Sequence, residues 1–218
     1  MELDSQIKRI QDDLKKGLFA NEASVSQGIV LPILQSLGWP VFDTKVVCPE
    51  YKAGRGKVDY ALVYPREKPA VYIEVKDVGE SKDADRQLFE YAFHDGVPYT
   101  ILTDGQEWHF YLPAEQGAYQ DRRVYRLDLL EREVSESSSR LSRYLSFERF
   151  RSGEALKSAR EDYRSVARER EMKQAMPTAW HKLIEEQDDL LVDLIAEKAE
   201  EICGYKPDAD MVANFLAS

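Results

Sequence analysis

Two short runs of this chain carry acids and a lysine in positions where they could act together. Residues 56–60 read Gly-Lys-Val-Asp-Tyr, and residues 73–76 read Ile-Glu-Val-Lys. Two carboxylates beside a lysine suit a divalent ion that prefers oxygen ligands, and Mg²⁺ is the usual ion at phosphate groups. The chemistry indicated by these residue types is metal-assisted hydrolysis of a phosphate ester.

Both runs lie in predicted β-strands, over residues 56–64 and 70–76. The segment between them contains two prolines and several charges, which prevent a continuous strand and favour a turn. In an antiparallel hairpin about this turn, Asp59 falls opposite Glu74, so the two side chains share one face of the sheet. Lys76 lies two residues beyond Glu74 and is expected on the same face.

The other face of this hairpin is predicted to be apolar. Its residues alternate with the polar ones and are Val58, Tyr60, Leu62, Val71, Ile73 and Val75. The three charged residues could equally form a cross-strand ion cluster on a solvated sheet face, because such pairs need no function. The hairpin alone leaves both interpretations open.

A helix is predicted downstream of the hairpin. Ser81 can cap this helix, which runs to about His94. Gln87 and Tyr91 lie one turn apart on the same side of it. An aromatic residue one turn from a site residue is more often part of the core, so Tyr91 is expected to pack.

A second helix is predicted upstream of the hairpin. Asn21-Glu22 opens it, and apolar residues recur at helical spacing over 23–37. An acid in the first turn of a helix is favoured by the helix dipole. Glu22 taken alone therefore indicates no function.

Taken in chain order, these pieces resemble the PD-(D/E)xK nuclease superfamily. They look most like the N-terminal domain of type I restriction enzyme R subunits and its free-standing relatives. The family pattern is a helical Glu, an Asp on a strand, Glu-x-Lys on the next strand, and a helix bearing Gln-x-x-x-Tyr. In this chain the pattern falls on Glu22, Asp59, Glu74, Lys76, Gln87 and Tyr91.

The resemblance extends beyond these residues, over roughly residues 18 to 115. Residues 31–39, 96–99 and 102–108 also look like that domain. One departure is Val58, which stands where the superfamily name has proline, a position that tolerates change. The chain has no helicase motor, so the resemblance is to a stand-alone restriction or defence-type nuclease.

The resemblance implies a role for each matched residue. Asp59 and Glu74 would hold Mg²⁺, for which Mn²⁺ can substitute, with Glu22 helping directly or through water. Lys76 would position or activate the attacking water and stabilise charge at phosphorus, and Gln87 would orient its neighbourhood. A metal ion and a lysine together supply the countercharge that phosphodiester hydrolysis needs.

Two cationic segments are candidates for contact with DNA. The first is the loop of residues 52–57, whose cations Lys52, Arg55 and Lys57 come immediately before Asp59, and whose glycines let backbone approach a phosphate.

The second cationic segment is a helical stripe that includes Arg160 and Arg164, with Lys157 and Arg168 at the same spacing. Acidic residues along the same helix could pair with these cations instead. The stripe would then be an ordinary solvated face, and this interpretation is the more favoured of the two.

The predicted organisation is a nuclease-like α/β domain over residues 1–130 and a helical region over 131–218. In the first, strands are expected near 43–48, 98–103, 106–112 and 122–127 besides the hairpin, which gives a mixed central sheet flanked by helices. In the second, the strand signal disappears and helical patterns continue to the end of the sequence.

The end of the helical region combines acidic charge with an apolar stripe. Residues 140–173 hold 10 basic and 6 acidic residues, whereas 177–218 hold 3 basic and 10 acidic. The acidic charge would repel DNA, and the apolar stripe either folds back on the nuclease domain or mates with a second copy. We expect a homodimer formed through these helices.

Composition sets the remaining limits. The net charge is −10 and the two cysteines, Cys48 and Cys203, form no paired motif, so neither a disulfide framework nor a zinc ribbon is indicated. No run is long and apolar enough to span a bilayer, and the charged start does not resemble a signal peptide, so the cytoplasm is the expected location and no membrane partner is expected.

Three classes of function are consistent with these observations. The first is an active magnesium-dependent DNA endonuclease, the second a catalytically silent nuclease-fold DNA-binding or regulatory module, and the third an oligomerising scaffold with partner proteins of a restriction or defence system. The intact set of Glu22, Asp59, Glu74 and Lys76 favours the first.

Overall fold

A computed structural model describes residues 2–54, 56–65, 67–80 and 86–217 of the chain. The chain divides into two compact units, Met1–Ser165 and Val166–Ser218. The first unit contains the sheet and the hairpin that carries the predicted catalytic residues. The second unit is helical.

The first unit is built on one six-stranded mixed sheet. Its strands are β1 (Val47–Ala53), β2 (Gly56–Val63), β3 (Pro69–Val75), β4 (Tyr99–Thr103), β5 (Glu107–Tyr111) and β6 (Arg123–Asp128). They lie side by side in chain order, antiparallel throughout except for β3 and β4, which are parallel. This arrangement confirms the predicted α/β fold with a mixed central sheet.

Helices flank the sheet and make up the C-terminal part of the chain. They are α1 (Leu3–Lys15), α2 (Glu22–Val25), α3 (Leu31–Ser36), α4 (Arg86–Asp95), α5 (Val134–Leu145), α6 (Phe147–Ser152), α7 (Glu154–Glu185), α8 (Asp189–Cys203) and α9 (Ala209–Leu216). A π-helical turn over Ser26–Val30 joins α2 and α3 into one continuous helix. Helix α4 lies in the crossover that parallel β3 and β4 require.

The sheet is covered on both faces. On one face, Ala61 and Tyr72 pack against Leu88 and Ala92 of α4. The opposite face carries a row of in-register residues, Tyr60, Ile73, Ile101, Phe110 and Tyr125. On that face the ring centroid of Phe110 lies 5.2 Å from that of Tyr144 in α5.

This two-sided burial corrects the expected division of the hairpin into an apolar and a polar face. The face that carries Asp59 and Glu74 continues into Ala61 and Tyr72, which are fully buried. Polar residues occupy only one end of that face. The reason is that α4 crosses back over it, as the parallel pairing of β3 and β4 demands.

The alternation of side chains also breaks at one point, so the prediction for Val58 was wrong. Val58 packs in the same cluster as Ala61 and Leu88, although alternation from Tyr60 placed it on the other face. Opposite Asp59 in the ladder is Glu50, whose φ of 48° lies in the left-handed region. The unusual backbone of Glu50 thus lies one residue from the level at which the alternation breaks, between the pairs Pro49–Tyr60 and Tyr51–Val58.

The first strand begins later than predicted, at Val47 rather than near residue 43. Asp43 instead organises a turn: its carbonyl oxygen accepts from the N–H groups of Val46 and Val47, and its carboxylate accepts from the N–H of Lys45. An aspartate that bonds the backbone two residues on is typical of turns. The apolar pair at 46–47 therefore marks the strand start, not its middle.

The first unit extends about 35 residues past the boundary expected near residue 130. Leu141, Tyr144 and Leu145 of α5 are buried, and the indole N–H of Trp39 donates to the carbonyl of Leu145 at 2.7 Å. The amide of Gln11 in α1 donates to the carbonyl of Leu129 at 2.6 Å. Because α5 covers one face of the sheet, it belongs to the sheet's core.

The second unit has a small core of its own. Val192, Ala196 and Val212 are its buried apolar residues, and they join α8 to α9. Among the helices that the structure describes, none has both the length and the apolar composition needed to cross a bilayer.

Candidate active site

The sheet splits between β2 and β3 at the place where the predicted acids stand. The ladder between these strands ends at the pair Tyr60–Ile73. Beyond that pair β2 continues to pair with β1, and β3 continues to pair with β4. The divergence opens the sheet at Asp59 and Glu74, which are the next residues on the two strands.

Asp59 is held at this opening by the neighbouring strand. Its Oδ2 accepts a hydrogen bond from the backbone N–H of Val75 at 2.6 Å. A carboxylate that accepts from a backbone N–H keeps a fixed orientation. Asp59 therefore stands beside Glu74, one residue before Val75, as the hairpin register predicted.

Glu74 and Lys76 form a close ion pair at the same place. The Lys76 Nζ lies 2.8 Å from the Glu74 Oε1, and the two side chains are 26 % and 14 % exposed. They are thus partly sheltered but still open to solvent. Partial burial limits how far the two side chains can move, and both groups can still meet a ligand.

The backbone after β3 is fixed by the turn between β4 and β5. The N–H of Lys76 donates to the carbonyl of Thr103 at 2.8 Å. Buried Asp104 accepts from the N–H of Gly79 at 2.9 Å and, within its own turn, from the N–H groups of Gln106 and Glu107. These bonds fix the backbone at Lys76 and at Gly79.

From sequence, Asp104 belongs to the matching segment 102–108 and has no predicted role. Its signal was local, because Thr-Asp-Gly is a turn sequence in which the aspartate bonds the following N–H groups. That the same carboxylate also binds Gly79 follows from the parallel pairing of β3 and β4.

The helix that begins at Glu22 packs at the same end of the sheet. A Cβ on Gly105, in the β4–β5 turn, would lie 2.6 Å from Ile29 and 2.9 Å from Val25, so the glycine is needed for this close approach. The side chain of Ser26 lies beside the hydroxyl of Tyr60, whose pKa is raised chiefly by burial. The start of α2 is thereby placed near the site end of the sheet.

Glu22 itself is exposed in the first turn of α2, beside an Asn21–Ser24 capping box. Among the residues that the structure describes, no group of three or more His, Cys, Asp or Glu side chains is close enough to share a metal ion. The bond from Val75 to Asp59 and the Glu74–Lys76 ion pair bring Asp59, Glu74 and Lys76 together, and within the described residues Glu22 does not complete a group of three acids with them. Its metal role stays a prediction.

Three residues named from sequence are not described in full. Gln87 lies at the start of α4, but its side chain is outside the described part of the structure. Arg55 and Ser81 are outside the described residues altogether. The predicted roles of these residues stay predictions.

Tyr91 of α4 packs over the turn between β1 and β2, as its predicted core role requires. A Cβ on Gly56 would lie 2.3 Å from the Tyr91 hydroxyl, and a Cβ on Gly54 would lie 3.1 Å from the tyrosine ring. The expected reason for these glycines was approach of the backbone to a phosphate. The structure gives them a different one, since the tyrosine occupies the space above them.

The lysines of that turn project from the site end of the sheet. Lys52 and Lys57 are directly opposed in the β1–β2 ladder, and both are exposed. Lys57 also lies 3.3 Å from Glu50. Two like charges directly opposite each other are unfavourable in a sheet. An anion placed beside them would relieve that repulsion.

The other cationic candidates lie at the opposite end of the sheet. Arg160 and Arg164 line a groove together with Gly153 and Leu156. The same glycine and leucine border the cleft at the β2–β3 turn, which includes Lys68. The β2–β3 turn is separated from Glu74 by most of the length of β3, which is roughly 20 Å. The structure does not bring these arginines to the site.

The expected pairing of this stripe with neighbouring acids is also incomplete. Glu154 contacts Lys157 at 4.0 Å, and Glu169 pairs with Lys173. Within the described chain, Arg160 and Arg164 have no ion pair. They remain exposed cations on α7.

A partly buried polar cluster lies on the same face of the sheet as Glu74, beyond Leu102. In the strand register, Glu74 pairs with Leu102, Leu102 pairs with His109, and His109 pairs with Arg126. The side chains of these residues therefore share one face of the sheet. Arg126 binds the Glu107 carboxylate through two hydrogen bonds of 3.0 and 2.7 Å. The sequence signal for this cluster was the alternation of polar residues in β5 and β6.

The cluster has shifted acid–base properties. The Arg126 guanidinium is the main reason that the pKa of Glu107 falls to about 2. Burial lowers the pKa of His109, whose Nε2 lies 2.9 Å from Glu107 and whose Nδ1 lies 3.2 Å from Arg123. An arginine donor at Nδ1 requires that nitrogen to be unprotonated. His109 is therefore neutral, with its hydrogen on Nε2.

The donor set at the sheet opening fits a magnesium ion. Asp59 and Glu74 supply hard carboxylate oxygens from adjacent strands, and Mg²⁺ is commonly bound by one or two carboxylates with water completing its shell. Asp59 is already oriented by the Val75 N–H. Two carboxylates are sufficient for this ion, so a third acid is not required.

Comparison of the chain with protein families, with curated proteins and with solved structures finds no match.

Proposed function

We propose that this protein is a metal-dependent nuclease of the PD-(D/E)xK type, which hydrolyses phosphodiester bonds in DNA in a restriction or phage-defence setting. The observation that carries the proposal is the meeting of Asp59, Glu74 and Lys76 where β2 and β3 diverge. Two strands bring two acids and one lysine to a position that is partly sheltered but still open to solvent. That combination is what phosphodiester hydrolysis requires.

The three side chains take distinct roles in this proposal. Asp59 and Glu74 would hold the ion, and the Val75 N–H fixes the orientation of the Asp59 carboxylate. A bound magnesium ion supplies positive charge that stabilises the transition state at phosphorus. Lys76 contributes a second positive charge, and its bond to Glu74 keeps its ammonium group at the site.

The DNA backbone is proposed to approach over the β1–β2 turn. Lys52 and Lys57 project there, and Lys57 lies two residues before Asp59, or about 7 Å along the strand. Phosphates next to the cleaved one could therefore meet these lysines. The other proposed partners are a second copy of the chain and proteins of the same restriction system.

A second candidate is a nuclease-fold module that binds DNA without cleaving it. It is favoured by the exposed and directly opposed Lys52 and Lys57, which can contact phosphates whether or not the acids hold an ion. Such a module would keep the cationic turn and lose turnover.

A cleavage assay separates the two candidates. Purified full-length protein is incubated with plasmid and linear DNA, modified and unmodified, and with RNA, in the presence of Mg²⁺, Mn²⁺ or EDTA. We expect cleavage of DNA with either ion and none with EDTA. Binding of the same DNA without cleavage in any ion would favour the second candidate.

Lys76→Ala is the decisive variant in this assay. We expect it to abolish cleavage and to change the unfolding free energy by no more than about 0.5 kcal/mol, because Lys76 lies partly exposed at the end of its strand. Lys68→Ala is the matched control at the other end of the same hairpin and should cleave normally. Wild-type cleavage by Lys76→Ala would end the assignment.

A further inference from the structure

The second unit leaves an unusual share of its apolar residues in water. Of fifteen large apolar side chains that are exposed in the described chain, eleven lie within residues 166–217. Within residues 166–217, the buried apolar residues are only Val192, Ala196 and Val212. A unit of this size normally buries roughly 60 % of the surface that its unfolded chain would expose.

One apolar surface of this unit is a stripe on the distal half of α7. The buried residues of α7 are Ala155, Ser158, Ala159 and Tyr163, all of which belong to the first unit. Beyond them, the exposed apolar residues of α7 include Met172, Met176, Trp180 and Leu183. Their spacings of four, four and three residues place them within one narrow arc of the helix, and their side chains are 38–60 % exposed. Such a stripe is stabilised only when it packs against another surface.

The other apolar surface is a cleft between α8 and α9. It has a volume of about 530 Å³, and its wall includes Ile195, Cys203, Met211 and Phe215. Met211 and Phe215 are more than 60 % exposed. The wall of this groove is mostly apolar, so the groove suits the apolar side of a third helix.

The two surfaces also carry complementary charge. Residues 166–185, around the stripe, hold 4 basic and 3 acidic residues, which gives +1. Residues 188–216, around the groove, hold 2 basic and 8 acidic residues, which gives −6. Contact between a groove and another groove would bring two acidic surfaces together, whereas contact between stripe and groove does not.

We propose that two copies of this chain associate through reciprocal contacts, in which the α7 stripe of each copy occupies the α8–α9 groove of the other. The contact is self-complementary, as a two-fold dimer requires, because each chain presents one stripe and one groove. This contact holds whether or not the protein cleaves DNA. It also extends the small core of the second unit.

Light scattering and sedimentation of the full-length protein test the association. We expect a dimer at tens of micromolar, and we expect Met176→Lys with Trp180→Glu to raise the dissociation constant at least tenfold. Gln174→Lys with Thr178→Glu makes matched charge changes on the opposite side of the helix and should leave the dissociation constant unchanged. A monomeric full-length protein, or a dimer that both double variants leave intact, overturns the proposal.

Cross-linking tests the pairing itself, because the groove already contains the exposed Cys203. Leu183→Cys should form a disulfide between copies, and mass spectrometry should join position 183 to Cys203. Thr178→Cys and the combination of Leu183→Cys with Cys203→Ser should not give that product. A link only between two copies of position 183, or only within one chain, rules out the reciprocal contact.

Discussion

The Oδ2 atom of Asp59 accepts a hydrogen bond from the backbone N–H of Val75 at 2.6 Å. This bond forms just past the last ladder pair of β2 and β3, so a side chain takes up a strand N–H at the point where the strands separate. It fixes Asp59 next to Glu74 before any ion binds. The acid therefore has both a structural and a proposed ligand role.

The two roles of Asp59 predict different results for two variants. Asp59→Asn keeps an oxygen for the Val75 N–H and should retain most of the stability, whereas Asp59→Ala leaves that N–H unpaired and should cost about 1–3 kcal/mol. Both variants, and Glu74→Gln, should weaken Mn²⁺ binding by more than about tenfold in calorimetric titration. Glu67→Gln, at the other end of the hairpin, is the control. Unchanged affinity in all three site variants would remove the metal site.

Gly56→Ala should destabilise the protein although it lies in a strand, where alanine is normally tolerated. Its Cβ would come within 2.8 Å of the Tyr91 ring carbon that bears the hydroxyl. We expect a loss of about 1–3 kcal/mol in urea unfolding, as for other overpacked sites. In a Tyr91→Ala background the loss should largely disappear. An equal loss in both backgrounds would show that the tyrosine does not determine the requirement for glycine.

Stability should fall in two steps as the pH is lowered. The pKa of His109 is lowered in the folded state, so the unfolded chain takes up protons first and stability is lost as the pH falls below about 6.5. The pKa of Glu107 is about 2 in the folded state. The stability that this carboxylate contributes is therefore present at pH values above its ordinary pKa of 4.5, and it is lost as the pH falls toward 2.

Urea unfolding between pH 7 and pH 5 isolates the histidine step. His109→Gln should reduce the pH dependence in that range, since glutamine stays neutral. His181→Gln changes an exposed histidine and should retain the wild-type slope. Identical slopes for wild type and His109→Gln would mean that His109 does not titrate differently in the folded protein.

DNA binding should depend on the lysines at the site end of the sheet. Lys52→Ala and Lys57→Ala should each weaken binding to all sequences alike and reduce the slope of log affinity against log salt by about one. Arg160→Ala and Arg164→Ala test the opposite end, roughly 20 Å away along β3. A slope that changes only in the arginine variants would place the DNA at that end instead.

Much of the site's layout could be predicted because it depends on local rules. Side chains alternate along strands, and a turn rich in proline fixes the hairpin register, so Asp59 could be placed beside Glu74 from sequence alone. The Asn21–Ser24 capping box at the start of the upstream helix likewise follows from neighbouring residues. The mixed α/β fold followed from the order of strand and helix patterns.

Other features depended on contacts between distant parts of the chain. The polar side of the hairpin is short because α4 covers it, and Asp104 holds the segment after Lys76 because β3 and β4 are parallel. The positions of Arg160 and Arg164 depended on where α7 begins after α6. Periodicity specifies which residues share a face of one element. Only the packing of elements against one another decides which faces are covered and which ends meet, because that free energy comes from residues far apart in the chain.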